Sequence, residues 1–170
     1  MRGDSEEFER VFRAHHDAVL AYALRRSSAE DARDVVAETF LVAWRRFGDA
    51  PSDSPLPWLY GVARRVLANQ RRAARRRTAL VDRVAAAPTA SPSETGNSLV
   101  GAFGRLPEAD REALMLVAWE GLSNEEAAKA LGCRTATFRM RVHRARRRLA
   151  ELLDESTRDS MSTRSMEMTR

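Results

Sequence analysis

The sequence contains one cysteine, Cys133, so neither an internal disulfide nor a thiolate cluster for a structural metal can form. Aromatic residues are scarce at 6%, and glycine and proline together number only 14 of 170 residues. Alongside 44% hydrophobic and 31% charged residues, that scarcity favours a mostly helical chain over a strand-rich or low-complexity one. No run approaches the roughly 18 uncharged apolar residues that a membrane span requires. The opening MRGDSEEFER carries acids where a signal peptide would carry its apolar core, so the chain is expected in the cytoplasm, without direct membrane insertion. A chain of 170 residues has room for one ordinary domain or two small ones, which excludes a large multidomain enzyme.

Acids are absent from two stretches. Residues 64–77 hold seven arginines and residues 134–148 hold seven more, with no Asp or Glu in either. These fourteen account for about half of the 29 basic residues, leaving 15 against 24 acidic ones, so two basic patches sit on an acidic body. Segregated patches of one sign are the electrostatic footprint of a polyanion partner.

Residues 5–77 read as three helices. Asp4 or Ser5 can cap the first, and Phe8, Phe12, His15, Val19 and Tyr22 recur on one stripe at helical steps. Ser28, with Asp31 three residues on, opens the second, whose buried side is expected to include Val35, Thr39, Val42 and Phe47 and whose end is Gly48. The proline-rich stretch GDAPSDSPLP is a loop, and Pro57 starts a third helix with Trp58, Val62 and Val66 inward and the arginine run at its far end.

Residues 78–98 lose this period and read as a flexible linker, reaching roughly 66 Å when extended. That span could join sites about two turns of DNA apart, at roughly 34 Å per turn. Residues 99–153 form a second helical block, followed by a tail, 154–170, expected to be disordered. In the second block a helix from Leu106-Pro107 closes at Gly121. Ser123 and Glu126 form a capping box for a short helix ending at Leu131, and after Gly132, Cys133 and Arg134 a third helix starts with Thr135 as its cap. Two small all-α domains are therefore expected.

A short helix, a glycine-containing turn and a longer basic helix make the helix-turn-helix pattern, whose second helix enters the DNA major groove. Phe138, Val142, Ala145, Leu149 and Leu152 fix its core face; Ala136, Arg139, Met140, His143, Arg144 and Arg147 then lie farthest from it. Forked donors there suit bidentate contact with guanine edges and phosphates. In the first block, Arg64, Arg65 and Arg72 follow the loop at 48–57, a combination suited to holding separated single-strand bases and their phosphates. Trp58 beside them reads as core.

No convergent set of polar catalytic groups is visible, so no enzymatic activity, cofactor or metal site is expected. His15 and His16 are adjacent and about 100° apart on a helix, so they cannot share one metal, and His15 falls on the core stripe.

The stretch AEDARDVVAETFLVAWRRF (29–47), a Pro/Ser/Asp loop, and PWLYGVARRVLANQRR (57–72) together resemble conserved region 2 of the extracytoplasmic-function (ECF) sigma factors, small bacterial RNA polymerase sigma subunits. RLPEADREALMLVAWEGLSNEEAAKALGCRTATFRMRVHRARRRLAELL (105–153) resembles their region 4. The resemblance implies a subunit that joins core RNA polymerase and directs it to promoter DNA, with region 2 opening and capturing the −10 element and region 4 reading the −35 element. An anti-sigma factor partner is implied as well. Position by position, Asp34 and Glu38 match the acidic helix face that docks on polymerase, and Trp44 its apolar neighbour. Asp53 and Ser54 match the base-capturing loop, and Arg64, Arg65 and Asn69 the helix after it. Thr137, Arg139, Met140, Arg141, His143 and Arg144 match the −35 helix, with Arg134 just before it; Arg141, on the flank of the helix, is assigned a phosphate contact.

The chain departs from the family pattern at four places. Ala37 replaces a common glutamine, Arg65 a usual asparagine, Asn69 a usual acid and Arg134 a small cap residue. The alternative reading is a conventional helix-turn-helix regulator that binds duplex DNA without being a polymerase subunit.

Overall fold

The computed structural model describes residues 2–82 and 99–167, with side chains over 5–77 and 99–158; among these residues all regular structure is helical. Helices α1 (Arg2–Leu24), α2 (Ala29–Arg45) and α3 (Pro55–Asp82) pack pairwise into one compact unit. Helices α4 (Leu99–Arg105), α5 (Glu108–Ala118) and α7 (Thr135–Glu167) belong to a second, with α6 (Asn124–Leu131) preceding α7 in the chain.

In the first unit the apolar stripes meet as their spacing requires. Val19 and Tyr22 of α1, Val35 and Thr39 of α2, and Leu59 of α3 are fully buried, while Phe8 and His15 are half-buried and Phe12 lies at the rim. Each large apolar side chain withdrawn from water contributes about 1.5–3 kcal/mol. Tyr22 stacks on Tyr60 of α3 with ring centroids 4.8 Å apart, and the Arg26 guanidinium carbon lies 3.6 Å from the centre of the Tyr22 ring on which it rests. Arg26 also donates to the Tyr22 carbonyl at 3.0 Å, satisfying a carbonyl that the end of α1 leaves open.

The start of α2 follows the sequence signal closely. Ser28 is its N-cap: the Oγ accepts from the Asp31 amide at 3.1 Å and donates to the Asp31 carboxylate at 2.7 Å. Its end comes earlier than Gly48, because Phe47–Asp49 form a separate 3-10 turn that Arg46 ties down through Asp49 at 2.8 Å. Phe47 is therefore not on α2, although it packs against Phe8. Helix α3 starts at Pro55 rather than Pro57, and α1 starts ahead of the Asp4 or Ser5 cap.

In the second unit, Leu116 and Phe138 are fully buried, joined by Ala113, Leu114, Val142 and Ala145. The turns on either side of α6 use the two glycines found with positive φ among the described residues: Gly121 at 66° and Gly132 at 65°, a conformation that side chains with a Cβ resist. Ser123 and Glu126 form the expected reciprocal cap, at 2.8 and 3.2 Å.

Further elements and boundaries differ from the sequence reading. Helix α4 was not anticipated. Helix α3 continues through Asp82 into the segment read as a linker, whose remainder, 83–98, lies outside the described residues. Helix α7 continues to Glu167 through the segment expected to be disordered; 168–170 lie outside the described residues. Its N-terminal residue is Thr135, so Arg134, whose carbonyl accepts from Phe138 at 3.0 Å, occupies the cap position expected for Thr135.

Candidate nucleic-acid interface

Burial of Phe138, Val142 and Ala145 fixes the rotation of α7 and decides what it shows to solvent. Thr137, Arg139, Met140, His143, Arg144 and Arg147 are all exposed, as is Arg134 before the helix; Arg141 is half-buried, in keeping with its place on the flank. Met140, at 61% exposed, is a large apolar side chain standing among cations, the composition that meets a thymine methyl beside guanine edges.

Two arginines of this run are otherwise engaged. Arg147 pairs with Glu151 one turn on at 3.4 Å, across a solvated surface. Arg148 donates to the Asp110 carboxylate, which α5 holds almost out of contact with water. The sequence reading placed Arg148 in the basic run and missed its partner 38 positions away. Arg146 is also a missed residue: with Ser123, Asn124, Arg139, Val142 and His143 it lines a groove of about 280 Å³ along the same face. Its place in the acid-free run was the available signal.

On α3, Arg65, Asn69 and Arg72 are exposed at steps of four and three, and the Asn69 Oδ1 accepts from Arg72. Arg64 departs from this set. It is half-buried, and its Nε, withdrawn from solvent, has no hydrogen-bond partner among the described residues. Arg71 is engaged too, donating to the Arg26 carbonyl at 3.0 Å and so pinning α3 to the end of α1.

Asp53 is exposed and Ser54 half-buried in the segment between the 3-10 turn and α3. Beside that segment opens a groove of about 640 Å³ lined by Trp44, Phe47, Gly48, Pro51, Ser52 and Pro55 among others. Aromatic walls next to polar loop atoms suit a base removed from its stack.

The exposed face of α2 carries Asp34, Ala37, Glu38 and Leu41, so the two acids lie one turn apart. Leu41, 49% exposed, continues their line and was missed, though its position three residues after Glu38 marked it. Trp44 lies about 80° round from Asp34 at 100° per residue. Its ring packs against Phe8 at 4.9 Å and walls the groove, so it is set apart from the acidic pair.

Known proteins match both blocks. The Sigma-70 region 2 family matches residues 11–77, and Sigma-70 region 4 matches residues 97–149. The ECF RNA polymerase sigma factor EcfG of Rhodopseudomonas palustris is 36% identical over 143 residues, covering 80% of this chain and 79% of that protein. SigM of Mycobacterium tuberculosis is 35% identical over 155 residues, covering 89% and 79%. Among solved structures, the sigma factor RpoE of Bartonella quintana, in complex with the anti-sigma factor NepR, superposes with a TM-score of 0.67 at 30% identity, covering 88% of this chain and 98% of that one. CnrH in complex with the cytosolic domain of CnrY gives 0.60 at 30% identity, covering 87% and 88%. An all-helical chain with both regions in this order, and with relatives matched over most of their length, belongs to the ECF RNA polymerase sigma factors.

Proposed function

We propose that this sigma factor divides its work between residues 5–77 and 99–153. The exposed acids of α2, Asp34 and Glu38, dock on core RNA polymerase, because an acidic face on a chain with two basic patches suits a protein partner rather than DNA. The loop at Asp53 and Ser54 and the outer face of α3 hold the opened −10 element, and the outer face of α7 reads the −35 element. The observation that carries this assignment is the single exposed row of Arg139, Met140, His143, Arg144 and Arg147 opposite the buried Phe138. The protein acts as an initiation factor rather than an enzyme, in the cytoplasm, where polymerase and promoter meet. An anti-sigma factor controls it by covering these faces, a reading supported by the complexes in which RpoE and CnrH were solved.

Run-off transcription tests the assignment. Purified protein is added to sigma-free core polymerase on a pool of genomic promoter fragments. Discrete start sites that need both components, sharing upstream sequences that shift when Arg139 or Arg144 is replaced, are expected. Duplex binding without initiation, while a control sigma factor works, would instead identify a conventional regulator.

A further inference from the structure

The groove beside the loop of Asp53 and Ser54 has a wall that the loop does not supply. Phe8 packs against Trp44 at 4.9 Å and against Phe47 at 5.3 Å, which fixes how α1 is turned against the end of α2. With that rotation set, Glu7 and Val11, one turn apart on α1, line the groove, and Arg45 of α2 lines it as well. Glu7 and Arg45 are the two charged residues of the lining. Both are exposed, and among the described residues they form no ion pair with one another, so a carboxylate and a guanidinium are both presented to an occupant.

The carboxylate is the informative group. Glu7 lies in the second turn of α1, beyond the first turn in which a helix terminus favours an acid. An ionised carboxylate accepts hydrogen bonds and cannot donate them. Within a DNA strand the backbone offers it nothing in return, because phosphate and sugar oxygens are acceptors and the phosphates share its sign of charge. The N–H donors of DNA are on its bases. A carboxylate in a groove that takes single-stranded DNA is therefore matched by the edge of a base, and a base out of its stack presents its whole Watson–Crick edge. There an exocyclic amino group supplies donors, while a ring nitrogen or carbonyl beside it accepts from a guanidinium. Cytosine, guanine and adenine carry that arrangement. Thymine does not: its one ring N–H lies between two carbonyls, whose lone pairs would meet the carboxylate.

We infer that Glu7 is a specificity-determining residue of this groove, accepting from the exocyclic amino group of one captured base and disfavouring thymine, with Arg45 donating to the acceptor beside that group. The inference rests on the reading of the Asp53 and Ser54 loop as base-capturing. It adds the class of base and a reader on α1, outside the loop.

The test uses holoenzyme assembled from core polymerase and the full-length chain, on a promoter identified by run-off transcription and prepared with its −10 non-template strand unpaired. Each base of that strand is replaced in turn by the analogue that lacks only the exocyclic amino group: 2-pyrimidinone for cytosine, inosine for guanine, purine for adenine. Binding is measured for wild type, Glu7→Ala and Glu6→Ala, the last at an exposed acid outside the groove. At one position the analogue weakens wild type and Glu6→Ala by about tenfold, the scale of one hydrogen bond to a charged group, and leaves Glu7→Ala nearly unchanged. An equal loss in wild type and Glu7→Ala at every sensitive position overturns the assignment, as does indifference of wild type to the analogues at every position. Failure of the loop reading itself shows differently, as unaltered opening of the duplex promoter when Asp53 and Ser54 are replaced by Ala.

Discussion

The Asp110 carboxylate, in the first turn of α5, accepts a hydrogen bond from the Arg148 guanidinium on α7. Asp110 is 8% exposed, whereas about half of the Arg148 side chain remains in solvent. Seven residues further along α7, on the same side, Glu155 pairs with Arg105 at the end of α4. The two ties have opposite polarity, an arginine of α7 on an acid and then an acid of α7 on an arginine. A slip of α7 that brought Arg148 to Arg105 would put like charges together. Replacing Arg148 by Ala strands a desolvated carboxylate and should cost about 1–3 kcal/mol in thermal or chemical unfolding. The double replacement Asp110→Leu/Arg148→Met should recover most of that loss, since no buried charge remains. Equal losses for the single and double variants would show that the pair does not fix α7.

The engagement of Arg148 separates it from its neighbours in function. Arg139→Ala or Arg144→Ala should cost about 1–3 kcal/mol at one upstream base pair and relax discrimination there. Arg147→Ala, on a side chain shared with Glu151, should weaken binding evenly across sequences. A promoter library read by binding and sequencing distinguishes these profiles; uniform weakening by all three replacements would remove base reading from Arg139 and Arg144.

Local signals and distant ones were unequally legible in the sequence. The caps at Ser28 and Ser123, the glycine turns and the Phe138 face all depend on residues within a few positions of one another, and each could be read from spacing. Helix α4 could not. LVGAFGR is short and carries two glycines, so its helix rests on packing against α7 rather than on propensity. The run of α7 beyond Asp154 lacks an apolar stripe for the same reason: what holds it includes the Arg105–Glu155 pair and the buried Ser156, contacts from elsewhere in the chain. Of the candidate interface, the exposed residues of α7 were legible because burial of one face dictates the other. The angular divergence of Trp44 from Asp34 and Glu38 follows from the helical step, but its packing against Phe8, on another helix, was not legible.

Thr39 is fully buried in α2, and its hydroxyl has no hydrogen-bond partner among the described residues. Valine has nearly the same shape and a similar helix propensity. Thr39→Val should therefore stabilise the protein by about 1 kcal/mol, the cost of the unsatisfied hydroxyl. Urea unfolding reads this as a higher midpoint at an unchanged slope. A lower midpoint would mean that the hydroxyl is satisfied in solution.

Burial holds the His15 imidazole below its ordinary pKa, so the folded state favours the neutral ring. The unfolded chain takes up its proton near 6.5. The folded state does so only at lower pH, so stability from this group is complete above that value and is lost as pH falls through the lowered one. Unfolding curves from pH 7.5 down to 5 should show this loss, and His15→Gln should reduce it. An identical pH profile for the variant would assign the acid sensitivity elsewhere.

The acidic face of α2 gives the prediction that most directly tests docking. Asp34→Lys/Glu38→Lys reverses two exposed charges with no ion-pair partner among the described residues, so helix content and unfolding should change little. Affinity for core polymerase should fall by two orders of magnitude or more, on the order of 3 kcal/mol, because the reversal turns the attraction proposed for these acids at the docking surface into repulsion. Leu41→Ala, which removes apolar area in the same line without touching charge, should weaken binding less and without salt dependence. Competition with a control sigma factor for core polymerase measures all three proteins. If the charge-reversed chain competed as well as wild type, polymerase would have to bind a different face, and the exposed row of Asp34, Glu38 and Leu41 would lose its assignment.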